Sequence, residues 1–256
     1  MSTKHTLRLI TLILMVNTSF IVVAAQARSR QPNANERAFQ KSVRSRTGPD
    51  VYSEPFTDDY KRIERLLLTK NISLEIKSDA LGRAADFGNE QLLQLLINHG
   101  ADVNYVNEQG QTALMLAASM GFFALCGNDS NLTSYRGNVM EVRSLIAAGA
   151  RLDDRDRDGN TALMLAAQYA RNDSVKLLLD AGADVRLKNR DGRTALICAA
   201  SSSGSFEEAN LKEIVKALIA SGADLNERDA QCMTALTYAA RSPAIAAMLI
   251  FAGAIE

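Results

Sequence analysis

The sequence predicts an all-α repeat solenoid, in which helix–turn–helix units stack in a row and short hairpin fingers join them. Three observations carry that expectation. A seven-residue word, Thr112-Ala113-Leu114-Met115-Leu116-Ala117-Ala118, returns at Thr161–Ala167, Thr194–Ala200 and Thr234–Ala240, and a degenerate copy spans Ala80–Ala85. A second word, Gly100-Ala101-Asp102-Val103-Asn104, returns at Gly149–Asp153, Gly182–Arg186 and Gly222–Asn226, and the chain closes on Gly253-Ala254-Ile255. The gap between the words is constant: Val103 to Leu114, Leu152 to Leu163, Val185 to Leu196 and Leu225 to Leu236 are each eleven residues.

Each word has a physical role. The threonine opens a helix as its N-cap, and Leu with Ala-Ala forms a face that a neighbouring helix approaches closely. Leu177 and Leu178 belong to a second helix, which Gly182 ends in the left-handed conformation. One helix pair cannot bury this much apolar surface alone, whereas stacked copies share it. The pattern resembles the ankyrin repeat, with its 33-residue period and its Thr-Pro-Leu-His-x-Ala word, over residues 60–256. Ala replaces the family's proline at 113, 162, 195 and 235, and Met, Ile or Thr replaces its histidine. The resemblance is to an exported, bacterial-type member, and it implies a surface for protein partners.

Spacing then sets the boundaries. Five repeats are expected at about 80–107, 108–156, 157–189, 190–229 and 230–256. The threonines lie 49, 33 and 40 residues apart, so repeats two and four carry insertions at about 119–136 and 201–210, between their two helices. A truncated capping repeat is expected at 57–79, its finger having lost its tip between Leu74 and Leu81. Residues 28–56 carry six arginines and lysines and few apolar side chains, so they read as a disordered basic tail. Residues 1–27 read as an exported chain's leader: Lys4 and Arg8, the apolar run Leu9–Ala25, then Ala25-Gln26-Ala27 as a cleavage pattern. Retention as an anchor is the alternative. Periplasmic location is the first expectation and secretion the second.

Composition excludes more than it suggests. The 256-residue chain is formally neutral, with 29 basic and 29 acidic groups and 23% charged residues. Losing Lys4 and Arg8 leaves 27 basic groups against 29 acidic, so no nucleic-acid partner is expected. His99 is the one histidine after residue 27, and its place before Gly100 suits a helix C-terminus. Neither a nucleophile constellation nor a phosphate loop is present, so no enzyme, cofactor or small-molecule substrate is expected. Asp154–Gly159 opens like a calcium loop but has Leu165 where the bidentate Glu belongs, so no metal is expected. Cys198 is expected to be buried in place of Leu165, Cys232 stands at a turn glycine, and Cys126 lies in the longer insertion. Their spacing fits no zinc site, and either a disulfide or independent thiols fits the count.

The resemblance places partner contacts on a concave side made of finger tips and exposed first-helix positions. Repeat two offers Val106, Glu108, Gln109, Gln111, Ser119 and Met120. Repeat three offers Arg155, Arg157, Asp158, Asn160, Gln168 and Tyr169. Repeat four offers Lys188, Arg190, Asp191, Arg193, Ser201 and Ser202, and repeat five offers Arg228, Ala230, Gln231, Met233 and Arg241. The row therefore grades from one acid to a majority of cations and predicts an acidic patch on the partner. Phe122, Phe123 and Tyr135 make the first insertion a second candidate, unless it folds back on the helices. The last helix has no polar residue from Ala244 to Phe251, so Ala247 and Phe251 are expected to support self-association or to meet a partner. The function expected is a binding scaffold that inhibits, protects or stabilises an exported protein. A secreted, host-directed adaptor or structural protein is the alternative.

Overall fold

A computed structural model of the chain describes residues 31–44, 57–68, 72–119, 137–202 and 208–255. Twelve α-helices and one 3-10 turn make up its regular structure among those residues. The helices are α1 (Ala34–Arg44), α2 (Thr57–Leu68), α3 (Leu74–Asp86), α4 (Glu90–Asn98), α5 (Ala113–Ser119) and α6 (Gly137–Ala147). They continue as α7 (Ala162–Gln168), α8 (Asn172–Asp180), α9 (Ala195–Ser201), α10 (Glu208–Ala220), α11 (Ala235–Tyr238) and α12 (Pro243–Phe251). First helices α3, α5, α7, α9 and α11 stack in one row, and α4, α6, α8, α10 and α12 form the row behind it. This is the all-α repeat solenoid expected.

The two words do the work assigned to them. Thr112, Thr161, Thr194 and Thr234 are each buried, and each accepts a hydrogen bond from the backbone N–H three residues on, at 3.2–3.4 Å. The alanines of the first helices, from Ala84 and Ala85 to Ala199 and Ala200, are wholly buried. They let the first row close up without side chains in the way. At the end of α8, Gly182 has φ +93°, and its N–H and that of Ala183 return to the carbonyls of Leu179 and Leu178.

The N-terminal end departs from expectation in two places. Part of the expected disordered tail, Ala34–Arg44, is a helix, and its Phe39 and Val43 are buried. Few apolar residues sufficed because they sit four apart on one face. The start is a capping box: Glu36 N–H donates to Asn33 Oδ1, and Asn33 N–H donates to Glu36 Oε2, both at 2.8 Å. The other oxygen of Glu36 accepts from the N–H of Ser73 at 3.1 Å, which ties α1 to the start of α3. The second departure is the expected tipless finger at Leu74–Leu81. Those residues are helical instead, because Ser73 caps Ile76 and extends α3 back by nearly two turns.

The ends of the insertions differ as well. Ser201 still belongs to α9, and Glu208–Asn210 belong to α10, which has 13 residues where α8 has 9. The expected loop at 201–210 is therefore partly an added helical turn. The expected leader (1–27), Asn71, Cys126 and nearly all of the first insertion lie outside the described residues.

Candidate partner-binding surface

Each finger is built on one carboxylate or amide oxygen. Oδ1 of Asn107, Asp156, Asn189 and Asp229 accepts from the N–H groups two and four residues on, at 2.7–3.0 Å. These are Asx turns. Asp156 thus spends its carboxylate on the turn within the segment that resembles a calcium loop. A glycine with positive φ completes three of the turns: Gly110, Gly159 and Gly192. The sequence signal for these anchors, Asn or Asp five residues before each capping threonine, was readable but is absent from the expected contact list.

Successive fingers lean on one another at those glycines. A Cβ on Gly110 would stand 2.9 Å from Arg157 N, and one on Gly159 would stand 3.0 Å from Arg190 N. Arg190 N–H donates to Asp158 O at 2.9 Å, and Ala230 N–H donates to Asp191 O at 2.7 Å. This ladder sets the finger tips side by side and presents their side chains in a row. Among the described residues no finger packs on the one at Asp229–Met233, and there Cys232 takes the glycine's place at φ +61°.

Most of the expected contact residues lie open along that row. Val106, Glu108, Gln109, Arg155, Arg157, Asp158, Gln168, Tyr169, Arg190, Asp191, Arg228, Ala230, Gln231 and Arg241 are exposed. Gln111, Ser119, Ser201 and Met233 are partly covered. Five of the expected residues are also engaged within the array. Asn160 is held within the ladder: its Nδ2 donates to Asp156 Oδ2 at 3.2 Å, and its Oδ1 accepts from Asn189 Nδ2 at 2.8 Å. Gln111 Oε1 lies at the 3.5 Å limit from Asn107 Nδ2, within its own finger. Ser202 is buried and donates to the carbonyl of Gln168 at 2.6 Å. Lys188 is paired with Glu227.

Arg193 is the most engaged of the five. It donates to the Tyr238 hydroxyl at 3.2 Å, lies 3.5 Å from Asp229 Oδ2, and stands 5.3 Å from the Tyr238 ring centre. The Tyr238 hydroxyl donates to that same Oδ2 at 2.7 Å. Burial alone would raise the Asp229 carboxyl, but the Tyr238 hydroxyl, the N–H groups of Met233 and Gln231, and Arg193 together hold it below the usual range. Arg193 thus joins repeat four to repeat five from within. Periodicity shows its position on the finger but not the partner forty-five residues away.

The remaining charge is sorted along the surface. Arg157, Arg190 and Arg241 meet no carboxylate among the described residues, and Arg155 and Arg228 reach only the carbonyls of Lys188 and Cys232. Asp158 and Asp191 are the acids among them. At the other end, a cavity of about 800 Å³ opens between α1, α3 and the first full finger. Glu36, Glu75, Asp79, Asp86 and Glu108 line it, and Arg83 is the one cation among its described lining residues, paired with Asp79 at 3.0 Å. Desolvation raises the Asp86 carboxyl despite nearby Arg83.

The other candidates are placed as follows. Met120, Phe122, Phe123 and Tyr135 lie outside the described residues. His99 caps α4, its N–H bonded to Leu95 O and its carbonyl accepting from Lys77 Nζ at 3.0 Å. Cys198 is buried, its thiol pushed up to about 12 by desolvation, and Cys232 is exposed; both are free. On α12, Ile245 and Leu249 face the core while Ala247 and Phe251 are exposed, Phe251 to 95%.

Comparison with known proteins agrees with this geometry. The family model for ankyrin repeats in three copies matches residues 131–229 and 182–255, and that for ankyrin repeats in many copies matches 81–126. A transient receptor potential cation channel subfamily A member 1 homolog from Caenorhabditis elegans is 34% identical over 43% of this chain and 10% of its own length. Neurogenic locus notch homolog protein 1 from Xenopus tropicalis is 41% identical over 29% of this chain and 3% of its own. Ankyrin repeat domain-containing protein 63 from Mus musculus is 31% identical over 45% of this chain and 27% of its own. The chain thus matches only a minor part of each of these relatives, within a stack of helix pairs built on the same two recurring words, and it belongs to the ankyrin-repeat family.

Proposed function

We propose that this chain is a non-catalytic scaffold, exported to the periplasm or beyond the cell, that binds a partner protein along its finger row and inhibits, protects or stabilises it. Ankyrin repeats are in general modules of protein–protein interaction and in general not enzymes. The observation that carries the reading is the exposed row of Arg155, Arg157, Arg190, Arg228 and Arg241, which no carboxylate of the described residues neutralises. Such a row steers an acidic patch into register across repeats three to five, and Tyr169 lies beside it as an aromatic anchor. The acidic cavity at the opposite end supports a single direction for the partner along the row. Export is supported by the basic, apolar and small-residue order of residues 4–27.

The test is capture of the partner from an envelope extract by the mature chain, with cell fractionation to locate that chain. Reversal of Arg157 and Arg190 to Glu is expected to weaken capture roughly tenfold and to flatten its salt dependence. Arg193 is left out because its reversal breaks an interior network. Undiminished capture by the double variant, or recovery of the chain in the cytoplasm alone, overturns the proposal.

A further inference from the structure

Glu141 occupies a place in the stack that the other repeats give to the core. Eight residues before the capping glycine stand Leu92, Ile214 and Ile245, all wholly buried, and Ser174, nearly so. In the second full repeat this position is Glu141, also wholly buried, and neither carboxylate oxygen reaches a hydrogen-bond partner. Glu90, at the first turn of the adjacent α4, is the nearby acid acting on it, and its Oε2 is likewise buried and unpartnered. Its Oε1 is occupied by Gln94 Nε2 and by Ser144 Oγ of α6, at 3.0 and 2.7 Å.

Among the described residues no cation answers this pair. The elements among them that pack most on α6 are α4, α5 and α8. Helix α4 brings Glu90 as its one charged residue, and α5 brings none. Helix α8 brings Asp173, Lys176 and Asp180, all exposed, with Arg171 half-buried at its N-cap, while α6 itself adds exposed Arg143. No cation is among the groups that set the protonation of Glu141. Burial is the largest influence and pushes its carboxyl up to about 7. Its own backbone N–H opposes that push, and Glu90 adds to it.

We propose that Glu141, facing Glu90, is a proton-operated latch on the second full repeat: while Glu141 is neutral α6 stays seated on α4, and loss of its proton loosens α6. The position explains the direction. A neutral carboxyl is tolerated in a core place, whereas a bare carboxylate beside a second one is not. The folded form therefore holds the proton more tightly than the unfolded form. Local stability is full below the ordinary glutamate range, falls as pH rises towards 7, and is constant above it.

Amide hydrogen exchange on the full mature chain tests this, with rates corrected for intrinsic exchange. Protection of α6 is expected to fall on the order of 100-fold between about pH 5 and pH 8, while that of α9 changes little. Glu141→Leu, the residue found at Leu92, and Glu141→Gln should each abolish the fall. Glu90→Gln should move its midpoint to lower pH. The Gln variant keeps the test decisive if the Leu variant repacks. Protection of α6 that is flat in the wild type, or a fall that survives in the Gln variant, overturns the latch.

Discussion

At the residue scale, the Asp229 carboxylate is asked for most. It anchors the last finger, accepts from Tyr238 and faces Arg193, and its side chain is fully buried. Removing it leaves two turn N–H groups and a hydroxyl short of an acceptor. Asp229→Ala is therefore expected to cost about 2–3 kcal/mol in thermal unfolding. Asp229→Asn, which keeps an acceptor for the turn, should cost about 1 kcal/mol. Because the folded carboxyl is held below its ordinary value of 3.8, its contribution is present above that range and is lost as pH falls through the lower folded value. The gap between wild type and Asp229→Asn should close in acid. Glu141 behaves oppositely, losing stability as pH rises, so two buried acids of one stack titrate in different windows. The difference is local: one is surrounded by donors and an arginine, the other by aliphatic carbon and another acid.

At the element scale, the fingers act as a ladder whose rungs touch at glycine. At Gly159 an alanine would combine a left-handed backbone, φ +80°, with a Cβ 3.0 Å from the Arg190 backbone. Gly159→Ala is expected to cost about 2 kcal/mol by chemical denaturation. Cys232 meets no further finger among the described residues but keeps φ +61°, so Cys232→Gly should gain about 1 kcal/mol. The pair separates steric contact from backbone strain. The recurrence of threonine, alanine and glycine at constant offsets made this much of the fold readable from sequence, because each does one local job. What stayed hidden depends on partners far along the chain. Arg193 reads as a free finger cation until Tyr238 is seen against it. The helix Ala34–Arg44 reads as a tail because its apolar content is low. Yet Asn33 and Glu36 spell a capping box, and Phe39 and Val43 supply a face that only docking on α2 and α3 makes useful. Of the candidate surface, exposure of the finger tips was legible, but which cations remain unpaired was not.

At the scale of the whole molecule, the first and last described helices are covered differently. On α12 Phe251 is 95% exposed, whereas α1 lays a wholly buried Phe39 against α2 and α3. In a solenoid each unit is stabilised by its own helices and by its neighbours alone, so a loss at one end is felt in proportion to nearness. Phe39→Ala removes the largest side chain of that cover and is expected to cost about 3–5 kcal/mol at the site itself. If stability is divided repeat by repeat, the cost appears as lost amide protection in α1, α2 and α3, with α9 and α10 unchanged. The acidic cavity between α1, α3 and the first full finger then loses a wall, while the arginine row of repeats three to five stays in place. Equal loss of protection from α1 to α12 would instead mean that the stack opens as one unit, and that α1 supports the distant finger row as well as its own end.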